Sequence, residues 1–98
     1  MASLRFEWDE RKNRLNRRLH GVTFEEAKTA FADENGLLID DPEHSTAEER
    51  FILLGLSADP RLLLVCHCYR RDGDVIRIIS ARRANRKERG IYATNWRQ

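Results

Sequence analysis

The chain has 98 residues, enough for one domain built on one core and too few for two. Its 18 Lys and Arg against 16 Asp and Glu leave a net charge of only +2, a mildly basic balance, so charge must act through its placement. Two cysteines exclude a disulfide framework, and no apolar run is long enough to span a bilayer, so the chain reads as cytoplasmic with no membrane partner.

Leu4 to Trp8 is a short apolar and aromatic opening, and Asp9 is a suitable N-cap for the helix that follows. Trp8, Lys12, Leu15 and Leu19 recur at helical spacing and define the expected core stripe, with Arg11, Arg14 and Arg18 on another. Lys12 therefore falls among core positions, from which its ammonium either snorkels to solvent or enters a cleft beside the core. His20-Gly21 ends this helix, His20 reading as a cap of the last turn, and Thr23 with Glu26 forms a capping box for a second helix. Phe24, Ala27 and Phe31 are that helix's apolar stripe.

Asp33-Glu34-Asn35-Gly36 is a turn, after which the hydrophobic period shortens to that of strands. Strands are expected from Leu37 to Asp40, Arg50 to Ser57, Arg61 to Arg70 and Val75 to Arg82, with a polar connection from Asp41 to Glu49. Tight turns at Ala58-Asp59-Pro60 and Asp72-Gly73-Asp74 join the later strands into an antiparallel meander, and a final helix runs from about Ala84 to Ala93. The expected fold is α+β in a single domain, 1–98: two N-terminal helices, a meander sheet and a C-terminal helix. No repeat, linker or low-complexity tract interrupts it.

Charge is segregated along this order. Nine acids face the single base Lys28 between Glu25 and Glu49, whereas eleven bases face four acids from Arg50 to the end. The densest stretch, Arg77-Ile78-Ile79-Ser80-Ala81-Arg82-Arg83-Ala84-Asn85-Arg86-Lys87, runs an apolar strand straight into a basic helix start. Arginines fixed at a strand end suit phosphate, and RNA is the expected anion, with Arg77, Ser80, Arg83, Arg86 and Lys87 as contacts. Alternation puts Arg50 with Ile52 and Leu54, puts Ser80 and Arg82 with Ile76 and Ile78, and sends Arg77 to the other face. Cys66-His67-Cys68 has no zinc-site spacing, and the two thiols read as core fillers. His67, on the face of Leu63 and Val65, is either a core histidine or a general base.

Phe6-Glu7-Trp8-Asp9, Lys12-Asn13, Asn16, His20-Gly21-Val22, Phe24-Glu25-Glu26-Ala27, His44-Ser45, Glu49-Arg50 and Ile78-Ile79-Ser80-Ala81-Arg82 together resemble the BrnT toxins. The resemblance covers nearly the whole chain in order. It implies a RelE-type toxin fold and a ribonuclease that inhibits translation, cutting RNA without metal or other cofactor. It also implies neutralisation by a BrnA-like antitoxin carrying a ribbon-helix-helix element, with operator DNA bound through that antitoxin and a toxin homodimer bridged within a heterotetramer. For such chemistry Arg82 and Arg50 are the expected phosphate stabilisers and Lys12 a second cation or acid, with Glu49 or His67 as base. A catalytically silent module that grips RNA or a partner is the alternative.

Overall fold

Asp9 caps as its position predicts: its carboxylate accepts from the Arg11 N–H at 2.8 Å, opening helix α1 (Glu10–His20). Gly21 closes it with φ at +68°, a left-handed conformation that glycine adopts without penalty. Thr23 then accepts from the Glu26 N–H at 3.1 Å and starts α2 (Phe24–Thr29), which tightens into a 3-10 turn at Ala30–Ala32. Only this half of the expected capping box forms. The Glu26 carboxylate turns instead to the Ser57 hydroxyl (2.8 Å) and the Arg61 guanidinium (2.9 Å), tying α2 to the sheet. Arg61 holds the Glu26 carboxyl below its usual range, with the Ser57 hydroxyl assisting and burial opposing.

The computed structural model describes residues 4–41 and 48–96; His44, Ser45 and most of the polar connection lie outside them, as do the last two residues of the tail. Its sheet has five strands in the order β1-β5-β4-β3-β2: β1 (Arg5–Glu7), β2 (Leu37–Asp40), β3 (Phe51–Leu56), β4 (Leu62–Arg70) and β5 (Val75–Arg83). The meander appears as expected, but the sheet is mixed, because β1 pairs parallel to β5 from Arg5↔Val75 to Glu7↔Arg77. A three-residue strand is too short to show alternation, which is why the opening segment does not read as one.

One sheet face carries the helical core: Val22, Phe24, Ala27 and Ala30 against Leu53, Leu63, Val65, Ile78 and Ala81. Phe24 is wholly buried, worth roughly 1.5–3 kcal/mol by area. The 3-10 turn presses so closely on β3 that a Cβ at Gly55 would stand 2.9 Å from the Ala30 carbonyl oxygen. No helix among the described residues is long and apolar enough to cross a membrane.

Helix α1 departs from its expected stripe. Lys12, Leu15 and Leu19 are exposed, and the buried positions are Asn13 and Asn16. The reason is that α1 covers backbone as much as side chains. Strand β1 pairs with β5 only as far as Arg77, so the edge of β5 at Ala81 needs another partner. Asn16 supplies it, accepting from the Ala81 N–H (3.1 Å) and donating to the carbonyls of Ala81 (2.7 Å) and Val22 (2.8 Å). Asn13 accepts from the Phe24 N–H at 2.8 Å and donates to Glu25 at 2.9 Å, fixing the turn into α2.

Strand β5 departs from simple alternation as well. Cys66 pairs with Ser80 but His67 pairs with Ile78, leaving Ile79 as a bulge. The extra residue shifts the phase, so Ile76, Ile78 and Ala81 face the helices, whereas Ser80 and Arg82 join Arg77 on the outer face. At the far end of that face lies helix α3 (Arg86–Trp96), starting two residues later than expected and anchored by the Tyr92 hydroxyl on Asp33 at 2.6 Å.

Candidate active site

The bulge decides what the outer face presents. With the phase shifted, Ser80 and Arg82 stand beside Cys66 and Leu64 of β4, and Ile52 of β3 continues the row. Ser80, Cys66, Leu64, Ile52 and Ile79 floor a cavity of about 370 Å³, walled by Arg50 and Asp41 on the β3 side and by Arg82 and His20 on the β5 side. Arg50 directly precedes β3, and its carbonyl accepts from the Asp41 N–H at 2.9 Å, so the two strand ends hold both residues at the rim. His20 reaches the cavity because α1 ends alongside the β5 edge that Asn16 caps.

Arg82 is oriented by a second device. Asn85 and Glu88 form a reciprocal capping box at the start of α3, with the Glu88 N–H donating to Asn85 and the Asn85 N–H donating to Glu88, each at 2.8 Å. The Glu88 carboxylate also receives both Nη groups of Arg82, at 2.9 and 2.8 Å, in a bidentate pair. Arg82 in turn holds the Glu88 carboxyl below its usual range, with burial opposing and the Asn85 N–H assisting. A guanidinium has five N–H donors. Three are used, counting the Nη1 bond to the Arg83 carbonyl at 3.2 Å, which leaves Nε–H and one Nη2–H for a phosphate.

Cys66 lines the cavity with its thiol 3.9 Å from the Asp41 carboxylate. Burial pushes the thiol's pKa up, and Asp41 adds to this more than Arg50 relieves it. It is therefore a neutral wall rather than a nucleophile.

The remaining sequence candidates are placed elsewhere. His67 is wholly buried on the helical face, its Nδ1 3.0 Å from the Val65 carbonyl and its ring enclosed by Phe31, Phe51 and Tyr69. Lys12 and Glu49 are exposed and do not line the cavity. Arg77 lies on the outer face but is paired with Glu7 at 2.8 Å, beyond the bulge. Arg83 has the opposite phase from Arg82, and Arg86 and Lys87 are exposed on the first turn of α3. In their place the cavity gains His20, Asp41 and Cys66. Nothing in their spacing announces this; only pairing across β5, β4 and β3 brings them together. Among the described residues no group of three or more His, Cys, Asp or Glu is placed to hold a metal ion.

Burial lowers the His67 pKa from 6.5, outweighing its bond to Val65, so the folded chain keeps the ring neutral where the unfolded chain protonates. The unfolded state then binds more protons, and stability should fall as pH drops below about 6.5, by at most about 1.4 kcal/mol per pH unit. The Glu26 and Glu88 carboxyls, both held low, add losses only below about pH 4.5, outside this window. Urea unfolding at pH 7 and near pH 5.5 should therefore show a drop for the wild type that His67→Phe abolishes. An equal drop in the variant would contradict a neutral, buried His67.

Comparison with known proteins adds the decisive observation. A family model described as the ribonuclease toxin BrnT of type II toxin-antitoxin systems matches residues 8–88, most of the chain. The chain belongs to the BrnT family. Among solved structures it is similar to the crystal structure of the Brucella abortus ribonuclease toxin BrnT, at 17% identity and a TM-score of 0.66, covering 86% of this chain and 100% of that one. At that identity the likeness speaks for the fold, an α+β arrangement of helices and a mixed sheet. No curated protein sequence matches. The matched segment, 8–88, spans every residue that lines the cavity and also Glu88.

Proposed function

We propose that this ribonuclease toxin cuts RNA in the cavity between Arg50 and Arg82, without a metal. The observation that carries the proposal is that two guanidiniums from different strand ends line one open cavity together with His20. In the reaction a ribose 2′-hydroxyl loses its proton and attacks the adjacent phosphorus. The phosphoryl oxygens gain charge, and the 5′-oxygen leaves with a proton, giving a 2′,3′-cyclic phosphate and a 5′-hydroxyl. Arg50 and Arg82 supply the cationic donors for the phosphoryl oxygens, and His20, the one imidazole among the described residues that line the cavity, transfers a proton. Ser80 offers a hydroxyl to position the strand.

The wider reading follows the family. The target is mRNA, cut as by an mRNA interferase so that translation stops, and the chain works as a single cytoplasmic domain over 1–98 with a RelE-like fold. A BrnA-like antitoxin neutralises it and carries the operator DNA contact, in a heterotetramer that bridges two toxin chains. The test is cleavage of end-labelled RNA in EDTA. Arg50→Ala should slow it by about 100-fold or more, and an unchanged rate would refute the site. His20→Gln, an exposed change with little bearing on stability, should slow it by about 100-fold; a wild-type rate would remove His20 from the proton transfers.

A further inference from the structure

Helix α1 buries two asparagines and leaves two leucines in solvent, and cutting RNA in the cavity uses neither leucine. Leu15 is 50% exposed and Leu19 is 64% exposed. Four residues apart, they form one stripe, and Arg11 and Arg18 fall beside Leu15 at the same helical spacings. Lys12 and Arg14 are exposed as well, while the helix's one acid, Glu10, bonds to Trp8 and Asn13. The surface is thus aliphatic at its centre and cationic around it. RNA alone would be matched by the cations, and its bases stack on aromatic or guanidinium planes, so exposed leucines add little for it. An amphipathic protein segment with acidic flanks matches both features.

We infer that the outer face of α1 is the docking surface for an acidic amphipathic segment of the antitoxin, with apolar side chains over Leu15 and Leu19 and carboxylates against Arg11, Lys12, Arg14 and Arg18. The inference rests on the toxin-antitoxin reading above. It also supplies a route to inhibition, because the stripe ends at Leu19, next to His20 at the cavity, so a segment lying along α1 arrives at the cavity mouth.

The test uses the purified chain and the protein encoded by the adjoining reading frame, with affinity measured by calorimetry and RNA cleavage measured in parallel. Leu15→Glu/Leu19→Glu changes only exposed side chains, and a circular dichroism melt checks that it folds. It should bind about 100-fold more weakly and cleave RNA as the wild type does, no longer inhibited by the partner. Arg11→Ala/Arg18→Ala should bind about 10-fold more weakly, with a shallower salt dependence. The inference is overturned if the leucine variant binds and is inhibited like the wild type, if the wild type forms no complex with that protein, or if the variant loses RNA cleavage but keeps the partner. Should Arg50→Ala and Arg82→Ala cleave normally while the leucine variant releases the partner, the cavity assignment fails and the docking face stands.

Discussion

Replacing Arg82 with alanine should lower RNA cleavage by about 100- to 1,000-fold, the usual consequence of removing a preorganised donor from the charge that develops in the transition state. The structure also offers a competing account of the same residue, since both Nη groups of Arg82 are held by Glu88. If Arg82 served only as half of an ion pair, its loss would cost little, because its side chain is 40% exposed and such pairs contribute at most about 1 kcal/mol. Glu88→Gln separates the two accounts. The amide can still accept the Asn85 N–H and preserve the start of α3, while the ion pair is gone. The catalytic account expects Glu88→Gln to keep most of the activity, losing about 10-fold or less through looser positioning of Arg82, and Arg82→Ala to lose nearly all of it. Equal, small effects from both would reduce the pair to a structural clasp between β5 and α3.

Asn16→Leu should destabilise the chain by about 2–4 kcal/mol, and Leu15→Ser, one position away, by no more than about 0.5 kcal/mol. An apolar residue at 16 looks favourable on a hydropathy scale and is not, because Asn16 satisfies the Ala81 N–H and the carbonyls of Ala81 and Val22 in a buried site. Leaving these groups without partners costs more than a leucine recovers by burial. For a domain of this size the change corresponds to a fall in Tm of roughly 10–20 °C. Thermal melts of both variants check it, and the opposite order would mean that α1 lies on the sheet by the leucine stripe. The effect reaches function too, since the amide that seats α1 on β5 also brings His20 to the cavity.

The order and type of the main elements were legible because caps, turns and alternation all act within a few residues. Asp9, Gly21 and the Asn35-Gly36 turn each announce a boundary by local chemistry. Legibility ended where a partner distant in sequence decides the outcome. Leu15 and Leu19 carry a good helical stripe, yet the space under α1 is a strand edge that needs hydrogen bonds, and an amide meets that need. The bulge at Ile79 has no glycine to mark it, and it alone moves Ser80 and Arg82 from the helical face to the outer one. Arg50 and Arg82 could be singled out as charges ending apolar faces. That they share one cavity depends on the register of β3, β4 and β5, which no local pattern encodes. His67 illustrates the converse: its alternation with Leu63 and Val65 was readable, and it places the ring in the core. The pair of Asn85 with Glu88 was readable in principle as a capping box and would have set the start of α3 correctly.

In the proposed reaction two guanidiniums and an imidazole in one cavity cut RNA through its own 2′-hydroxyl. End-group analysis of RNA cleaved by the purified chain in EDTA tests it most directly. The expected products are 2′,3′-cyclic phosphate and 5′-hydroxyl termini, formed at full rate with the metal chelated and lost together in Arg50→Ala and Arg82→Ala. Products bearing 5′-phosphate and 3′-hydroxyl ends, or cleavage that appears only when divalent metal is restored, would contradict it.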